Sequence, residues 1–447
     1  MNRKRWSVGL AAVAALILIA AACSSGSESS SAGTDTGTAS TGPDLSGQTV
    51  EVAATWTSAE QRNFEQVLNL FEQQTGATTQ FISAGDDIAA YLGPKIEGGK
   101  PPDVAILPQP GVLASFAGQG DLIPIEDFAG TLVDENYAPS AREVGTVDGK
   151  LYAVWFRAAQ KSIVWYNTHV FDDAGVEPPT TWDELVSTAQ TISDSGVPPY
   201  SVGVDVGWPM SDLFENIYLR TAGPDMYDQL AKHEIPWTDQ SVKDALSKMA
   251  DVLGNSDEIA GGTQGALQTD FNGSVDQMFA DPPAGAMLFE GNFVAGVITG
   301  ETKAKVGTDA DFFDFPSIDG SPPAVMGGGD LAVLLDDTPA GEELIKFLAT
   351  PEAAEVWAGL GGYISPNKNV DISAYTDPVD QRIAQALIDA GDSVKYDLSD
   401  LQPTAFGATT GEGIWGILTD FVSDPSDVDG TAQQLEAAAK AAYKQGG

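Results

Sequence analysis

The chemistry within reach of this chain lies in flat rings set beside planar polar groups. Trp56, Trp155 with Arg157, Trp208 with Asp212, Glu290 with Phe293, Gly329 with Asp330, and Trp415 each fall near an expected strand tip or helix start. Gln109 lies just beyond another such tip. An indole or phenyl face covers apolar C–H surface, and carboxylates, amides and guanidinium groups form planar hydrogen bonds with hydroxyls. A pyranose offers both kinds of surface, so the set suits a sugar. For Trp56 taken alone, packing and recognition are equally open readings. No catalytic apparatus assembles: His169 and His233 lack metal-binding spacing, and no Gly-x-Ser-x-Gly elbow is present. Neither a metal nor a cofactor is expected. Met326-Gly-Gly-Gly-Asp330 precedes a strand and lacks a following Lys-Ser/Thr, which excludes a P-loop. Its glycines read instead as close approach of backbone to a ligand or to a second lobe.

These residues need elements to hold them. Thr49–Thr55 reads as a strand and Ser58-Ala-Glu-Gln61 as an N-cap, opening a helix with Phe64, Val67, Leu68 and Phe71 on one face and Gly76 as its stop. Strands over Thr78–Ile82 and Asp103–Leu107, with a helix around Ile88–Ile96, complete a β-α-β-α-β run and predict a partly parallel sheet. Trp56 and Gln109 then stand at C-terminal strand ends, where open α/β sheets bind ligands. Leu151–Phe156 and Ile163–Tyr166 are apolar on both faces and read as crossovers between two lobes. Arg157, Gln160 and Lys161 lie between them; such cations cannot be buried unpaired, so the join should face a surface or a wet cleft.

Further along, Thr181-Trp182-Asp183-Glu184 is a second capping box, with Trp182 structural. Tyr200–Val206 reads as a strand stopped by Pro209, with Asp212 starting the next helix. A helix over Asp270–Phe279, a strand over Ala286–Phe289, and a return through Phe312–Phe315 to Leu331–Leu335 follow. The chain then closes with helices at Gly341–Ala349, Pro351–Leu360, from about Trp415, and Ala432–Tyr443.

A formal charge of −42, from 64 acidic and 22 basic residues, argues against nucleic acid and anionic lipid surfaces as partners. Asn2-Arg3-Lys4-Arg5 and the apolar run Val8–Ala22 read as an export signal. Ile19-Ala-Ala-Ala-Cys23 resembles the lipobox of bacterial lipoproteins, although Ala20 stands where leucine is usual. Cys23, the one cysteine in the chain, would then be lipidated, and disulfides and cysteine catalysis are excluded. Ser24 to about Asp44 is too poor in apolar residues to fold and reads as a tether.

From Thr49 to Tyr443 the chain resembles the extracellular solute-binding lipoproteins that feed carbohydrate to bacterial ABC importers, and among them the α-glucoside-type binders. The resemblance rests on Leu151–Asn167, Pro179–Leu185, Gly207–Asp212, Ala222-Gly-Pro224, His233-Glu-Ile-Pro236, Gly327–Leu331, Ala349–Glu352 and Gly361–Asn369. It implies an α/β, two-lobed periplasmic-binding-protein type II fold with a ligand cleft between the lobes. The implied division is a signal over 1–22 and a lipidated Cys23 with linker to 45. Lobe 1 takes 46–157 and 311–350, and lobe 2 takes 158–310 and most of 351–447. Trp56 and Gln109 would belong to the first lobe and Trp208, Asp212, Phe293 and Trp415 to the second, with Trp155, Arg157, Gly329 and Asp330 near the hinge. Maltodextrin binders have an acid near the place of Gln160, which leaves the identity of the sugar open.

The same resemblance implies no enzymatic activity. It implies a sugar ligand caught by hinge closure, a membrane permease with a separate ATPase as partners, a monomer, and lipid anchoring on the extracellular face of the cell membrane. Three other readings stay open on the sequence: a secreted hydrolase using Asp212 and Glu290, a binder of a non-sugar solute, and an adhesive surface lipoprotein.

Overall fold

The structure, a computed structural model, describes residues 43–445. The expected export signal, Cys23 and all but the end of the tether lie outside the described residues.

The strands are β1 (Thr49–Ala54), β2 (Thr78–Ser83), β3 (Val104–Leu107), β4 (Thr146–Val147), β5 (Lys150–Leu151), β6 (Ala153–Gln160), β7 (Ile163–Asn167), β8 (Met287–Leu288), β9 (Ala310–Asp314), β10 (Met326–Leu334) and β11 (Lys395–Tyr396). The first sheet runs β11-β10-β3-β1-β2, with β6 also paired to β10. β1 pairs in parallel with β2 and β3, as the β-α-β-α-β pattern predicts, whereas β10 joins β3 and β6 antiparallel. A second sheet, β8-β7-β9, is antiparallel, and β4-β5 form a small ribbon. Among the described residues no helix is long and apolar enough to cross a membrane.

The helix Ser58–Thr75 buries Phe64, Val67, Leu68 and Phe71 and ends at Gly76, whose φ of 75° is the left-handed geometry a C-terminal glycine supplies. Its start differs from expectation. Thr57, not Ser58, is the N-cap and makes no side-chain cap bond, and the Ala59 N–H donates to Glu301 Oε1 at 3.0 Å. A carboxylate 242 positions away does the work of a local cap, which no local motif can reveal. The capping box at Thr181–Glu184 forms as read, and Trp182 is buried with its Nε1 donating to Asp251.

Three other departures bear on the site. Arg157 and Gln160 are not in a join but inside β6, so both are buried; only Lys161 and Ser162 separate β6 from β7. The triple glycine is likewise inside a strand. A Cβ on Gly329 would lie 2.1 Å from the Arg157 carbonyl oxygen and 2.3 Å from Trp155 Nε1, so its glycine allows β6 to press onto β10. Tyr200–Val206 forms no strand, because Tyr200 makes only isolated bridges and the Val204 N–H turns to the Ala266 and Thr269 carbonyls. The helix after it starts at Trp208, with Gly207 as N-cap and Pro209 in its first turn, and so carries Asp212 inside its body.

Apolar side chains gather in separate clusters. One joins β1, the helix Ser58–Thr75 and the helices Val294–Glu301 and Pro351–Ala358 around Phe64, Phe71 and Trp357. A second joins the helices Trp208–Ala222, Gln240–Leu253 and Gly413–Ser423 around Phe214, Trp237 and Leu418. Each ring buried this fully contributes about 1.5–3 kcal/mol.

Candidate functional site

A cavity of about 210 Å³ gathers the loops that follow β1, β2 and β3, the crossover β6, the helix start at Trp208, and the segments around Asp270, Phe293, Gly329, Asp397 and Trp415. Nine of the eleven binding residues expected from sequence line it: Trp56, Gln109, Arg157, Trp208, Asp212, Phe293, Gly329, Asp330 and Trp415. Trp155 and Glu290 do not. Trp155 packs beside Tyr396, ring centroids 5.9 Å apart, with its Nε1 turned to Gly329. Glu290 is 1 % exposed, and burial first, then the Asp212 charge, holds its carboxyl well above the usual range. Glu290 therefore does not join Asp212 in the lining of the cavity.

The cavity walls hold aromatic rings in two groups. Trp56 meets Phe64 and Trp357 edge-on at 4.9 and 4.8 Å, so it serves the core as well as the cavity. Trp208, Phe271 and Phe293 form a mutual triangle at 5.3–6.0 Å. Trp415 is 3 % exposed and its Nε1 has no hydrogen-bond partner.

Two cations from the crossover hold the polar floor. Arg157 Nη2 lies 2.7 Å from Glu60 and donates to the Gly362 carbonyl, Nη1 lies 3.7 Å from Asp330, and the guanidinium sits over Trp357 at 4.9 Å. Burial pushes the Asp330 carboxyl up to about 6 although Arg157 pulls the other way. Lys161 Nζ lies 2.6 Å from Asp397 and 3.1 Å from Asp212. Asp397 also accepts from the Ser399 hydroxyl and the Asp400 N–H. Burial works against its charge, but the Lys161 ammonium and side-chain hydrogen bonds with Asp212, Lys161 and Glu215 hold its carboxyl down at about 2. Asp212 has a second oxygen, Oδ2, with no donor, and burial holds its carboxyl well above the usual range. At the mouth, burial and then the charges of Asp205 and Asp270 raise the Asp86 carboxyl. The floor therefore presents mostly acceptors, and the walls present rings.

Lys161, Asp86, Asp270, Phe271, Asp397 and Asp400 line the cavity and were not among the binding residues named from sequence. Lys161 had a signal, as a cation in an apolar crossover. Asp397–Asp400 had none, since a short 3-10 turn over Ser399–Leu401 leaves no periodic pattern.

Comparison with known proteins decides the family. The sequence model of the family described as bacterial extracellular solute-binding protein matches residues 53–355. The chain belongs to the bacterial extracellular solute-binding proteins. Within this family it is 34 % identical over 403 residues to the osmoprotective compounds-binding protein GgtB of Synechocystis, covering 87 % of this chain and 92 % of that one. It is also 34 % identical over 404 residues to the alpha-glucosides-binding periplasmic protein AglE of Rhizobium meliloti, covering 87 % and 86 %. The bacterial solute receptor AcbH, described as having an exclusive preference for β-D-galactopyranose, superimposes with a TM-score of 0.77 at 20 % identity, over 88 % of this chain and 99 % of that one. The shared architecture is the two-lobed α/β fold of the solute-binding proteins, as expected from the sequence, and the cavity sits among the C-terminal ends of β1 and β3 and the crossover.

Proposed function

We propose that this protein is the extracellular binding component of a carbohydrate ABC importer and that it takes an α-glucoside-type saccharide in the cavity described above. The observation that carries the reading is one cavity with rings on its walls and fixed acceptors on its floor. Trp56, Trp208, Phe293 and Trp415 would cover sugar C–H faces, and Asp212, Asp330, Asp397 and Asp400 would accept from its hydroxyls. Gln109, Arg157 and Gly329 complete the proposed contacts. The name of the AglE relative supports an α-glucoside, and that of GgtB an osmoprotective compound.

Sugar that touches both walls stabilises the closed arrangement of the lobes by its differential affinity. A micromolar ligand supplies about −8 kcal/mol in total, from which closure is subtracted. The protein would then deliver its cargo to a membrane permease without altering it, acting as a monomer. It would be held at the extracellular face of the cell membrane through lipidated Cys23, behind a cleaved signal.

Calorimetric titration of a soluble form beginning at Ser24 with trehalose, maltose, sucrose, isomaltose, glucose and a pentose tests this reading. Saturable binding of one α-glucoside is expected, weakened at least tenfold in Trp208→Ala protein that melts near the wild-type temperature. Heat evolved at a constant rate with product release, or silence across the panel, would refute it.

A further inference from the structure

The crossover strand has two faces, and the cleft uses one. Arg157, Ala159 and Lys161 line the cavity described above, whereas Gln160 and Ser162 line a second cavity of about 670 Å³, as the alternation of side chains along a strand requires. The second cavity is walled by Phe312, Phe313 and Phe315 on and after β9, by the proline pairs Pro178-Pro179 and Pro322-Pro323, and by the helix Pro378–Ala390.

One residue in this wall is out of place for a structural role. Arg220, from the helix Trp208–Ala222, is 7 % exposed and makes a single hydrogen bond, from Nη2 to the Phe315 carbonyl at 3.2 Å. Its Nη1 is buried with no partner. Arg157 and Arg142 each meet two carboxylates and Arg382 meets Asp311, but among the described residues no carboxylate stands within ion-pair distance of Arg220. A buried guanidinium whose partners are one neutral acceptor and the face of the Phe315 ring at 5.9 Å is costly, and a planar oxyanion is its natural complement. Burial lowers the Arg220 pKa only to about 10, so it stays charged at neutral pH. A second donor is at hand. The Gln160 amide oxygen accepts from the Ser162 N–H, which leaves its amide nitrogen free to donate. The charged groups facing Arg220 are Asp314, an exposed carboxylate on β9, and Arg382, which is paired with Asp311 and stacked on Phe312.

We infer that this second cavity is a binding site for a small organic carboxylate with an apolar body. The carboxylate would sit against the Arg220 guanidinium and Gln160, and the apolar body against the phenylalanines and prolines. A volume of this size and a mainly apolar wall with few convergent polar groups are typical of small-molecule sites. The site is independent of the cleft, because its lining shares no residue with the cleft's.

The test is ligand-detected NMR and calorimetry on the sugar-free protein with benzoate and its neutral analogue benzamide. Benzoate should bind saturably and benzamide at least tenfold more weakly. Arg220→Gln should abolish the difference. Since that variant removes a buried charge and could fail to fold, two substitutions at accessible positions serve as well. Asp314→Asn, which removes the competing carboxylate, should tighten benzoate several-fold, and Ala386→Trp, which fills the mouth, should abolish its binding; both should leave binding in the cleft unchanged. Equal affinity for benzoate and benzamide, or no response to either substitution, would overturn the proposal. Preference for inorganic phosphate over benzoate would equally remove the assignment to a carboxylate with an apolar body.

Discussion

Replacing Lys161 with methionine removes a buried cation and leaves its stem volume in place. In the wild-type protein Lys161 serves Asp397 at 2.6 Å and Asp212 at 3.1 Å, with side-chain exposures of 12, 1 and 3 % for the three groups. Deleting one partner of a buried charge cluster costs about 3–5 kcal/mol, because the remaining charge is stranded. With a urea m-value of about 3 kcal/mol/M, the unfolding midpoint should fall by about 1–1.7 M. The loss should also depend on pH. Burial alone would lower the Lys161 pKa, but Asp212, Asp397 and Asp400 raise it well above the lysine range. The stability it contributes is therefore fully present at pH 5 and pH 8 alike, and fades only at far more alkaline pH. Any difference between those two pH values must come from the carboxylates. Without the ammonium, Asp212 is held still further above the unfolded value of about 4, and Asp397 loses the largest influence that keeps it below that value. A carboxyl so raised destabilises the fold progressively as pH climbs from that value through its folded pKa. The deficit of Lys161→Met should accordingly be larger at pH 8 than at pH 5. Urea titrations at the two pH values, followed by tryptophan fluorescence, measure it. A deficit below about 1 kcal/mol, or one identical at both pH values, would refute the account of the floor as a charge cluster built on one lysine.

Two further outcomes follow from the same geometry. Gly329→Ala should destabilise by about 1–3 kcal/mol or more, since the new methyl would meet the Arg157 carbonyl at 2.1 Å and backbone cannot step aside; a wild-type melting temperature would contradict it. Asp86→Asn should raise the melting temperature by no more than about 1 °C at pH 7, because Asp86 is exposed and solvent screens its charge, and leave it unchanged near pH 4. Burial and the facing Asp205 and Asp270 raise the Asp86 carboxyl, so its ionisation costs stability only above the ordinary carboxylate range; a fall at pH 7 would show that the negative charge is instead welcome there.

The sheet was legible where its signals are local. β1, β2 and β3 fall within a residue or two of their expected spans, as do the Gly76 stop and the Thr181 capping box. The charged crossover pointed at the cleft, but its burial did not show, because Arg157 is neutralised by Glu60 and Asp330, distant in sequence from it and from each other. The same cause hid the role of Asp397. Its partner Lys161 is 236 positions away, and its own segment has neither helical nor strand period. Glu290 was legible as an acid beside a ring at a strand end, yet which side of the backbone it takes depends on how the Met287–Leu288 strand docks on β7, a tertiary fact. Tyr200–Val206 alternates well enough to suggest a strand, but no neighbouring strand comes to pair with more than Tyr200.

Of 22 basic residues set against 64 acidic ones, two lie four positions apart on the crossover, and each holds two carboxylates drawn from different elements. Neither cation meets the cavity as a bare charge. Each fixes carboxylates whose remaining lone pairs stay free, so the cleft offers acceptors at set positions and demands donors from its ligand. A polyol supplies donors in every direction, and an oxyanion without hydroxyl or N–H groups supplies none. An acidic chain thus uses its few cations to orient its acids, and under the proposed function the same arrangement fits the cleft face to hydroxyls. On the opposite face of the same strand the arrangement inverts. There Arg220 has no acid at ion-pair distance among the described residues, and the ligand chemistry proposed for that face inverts with it.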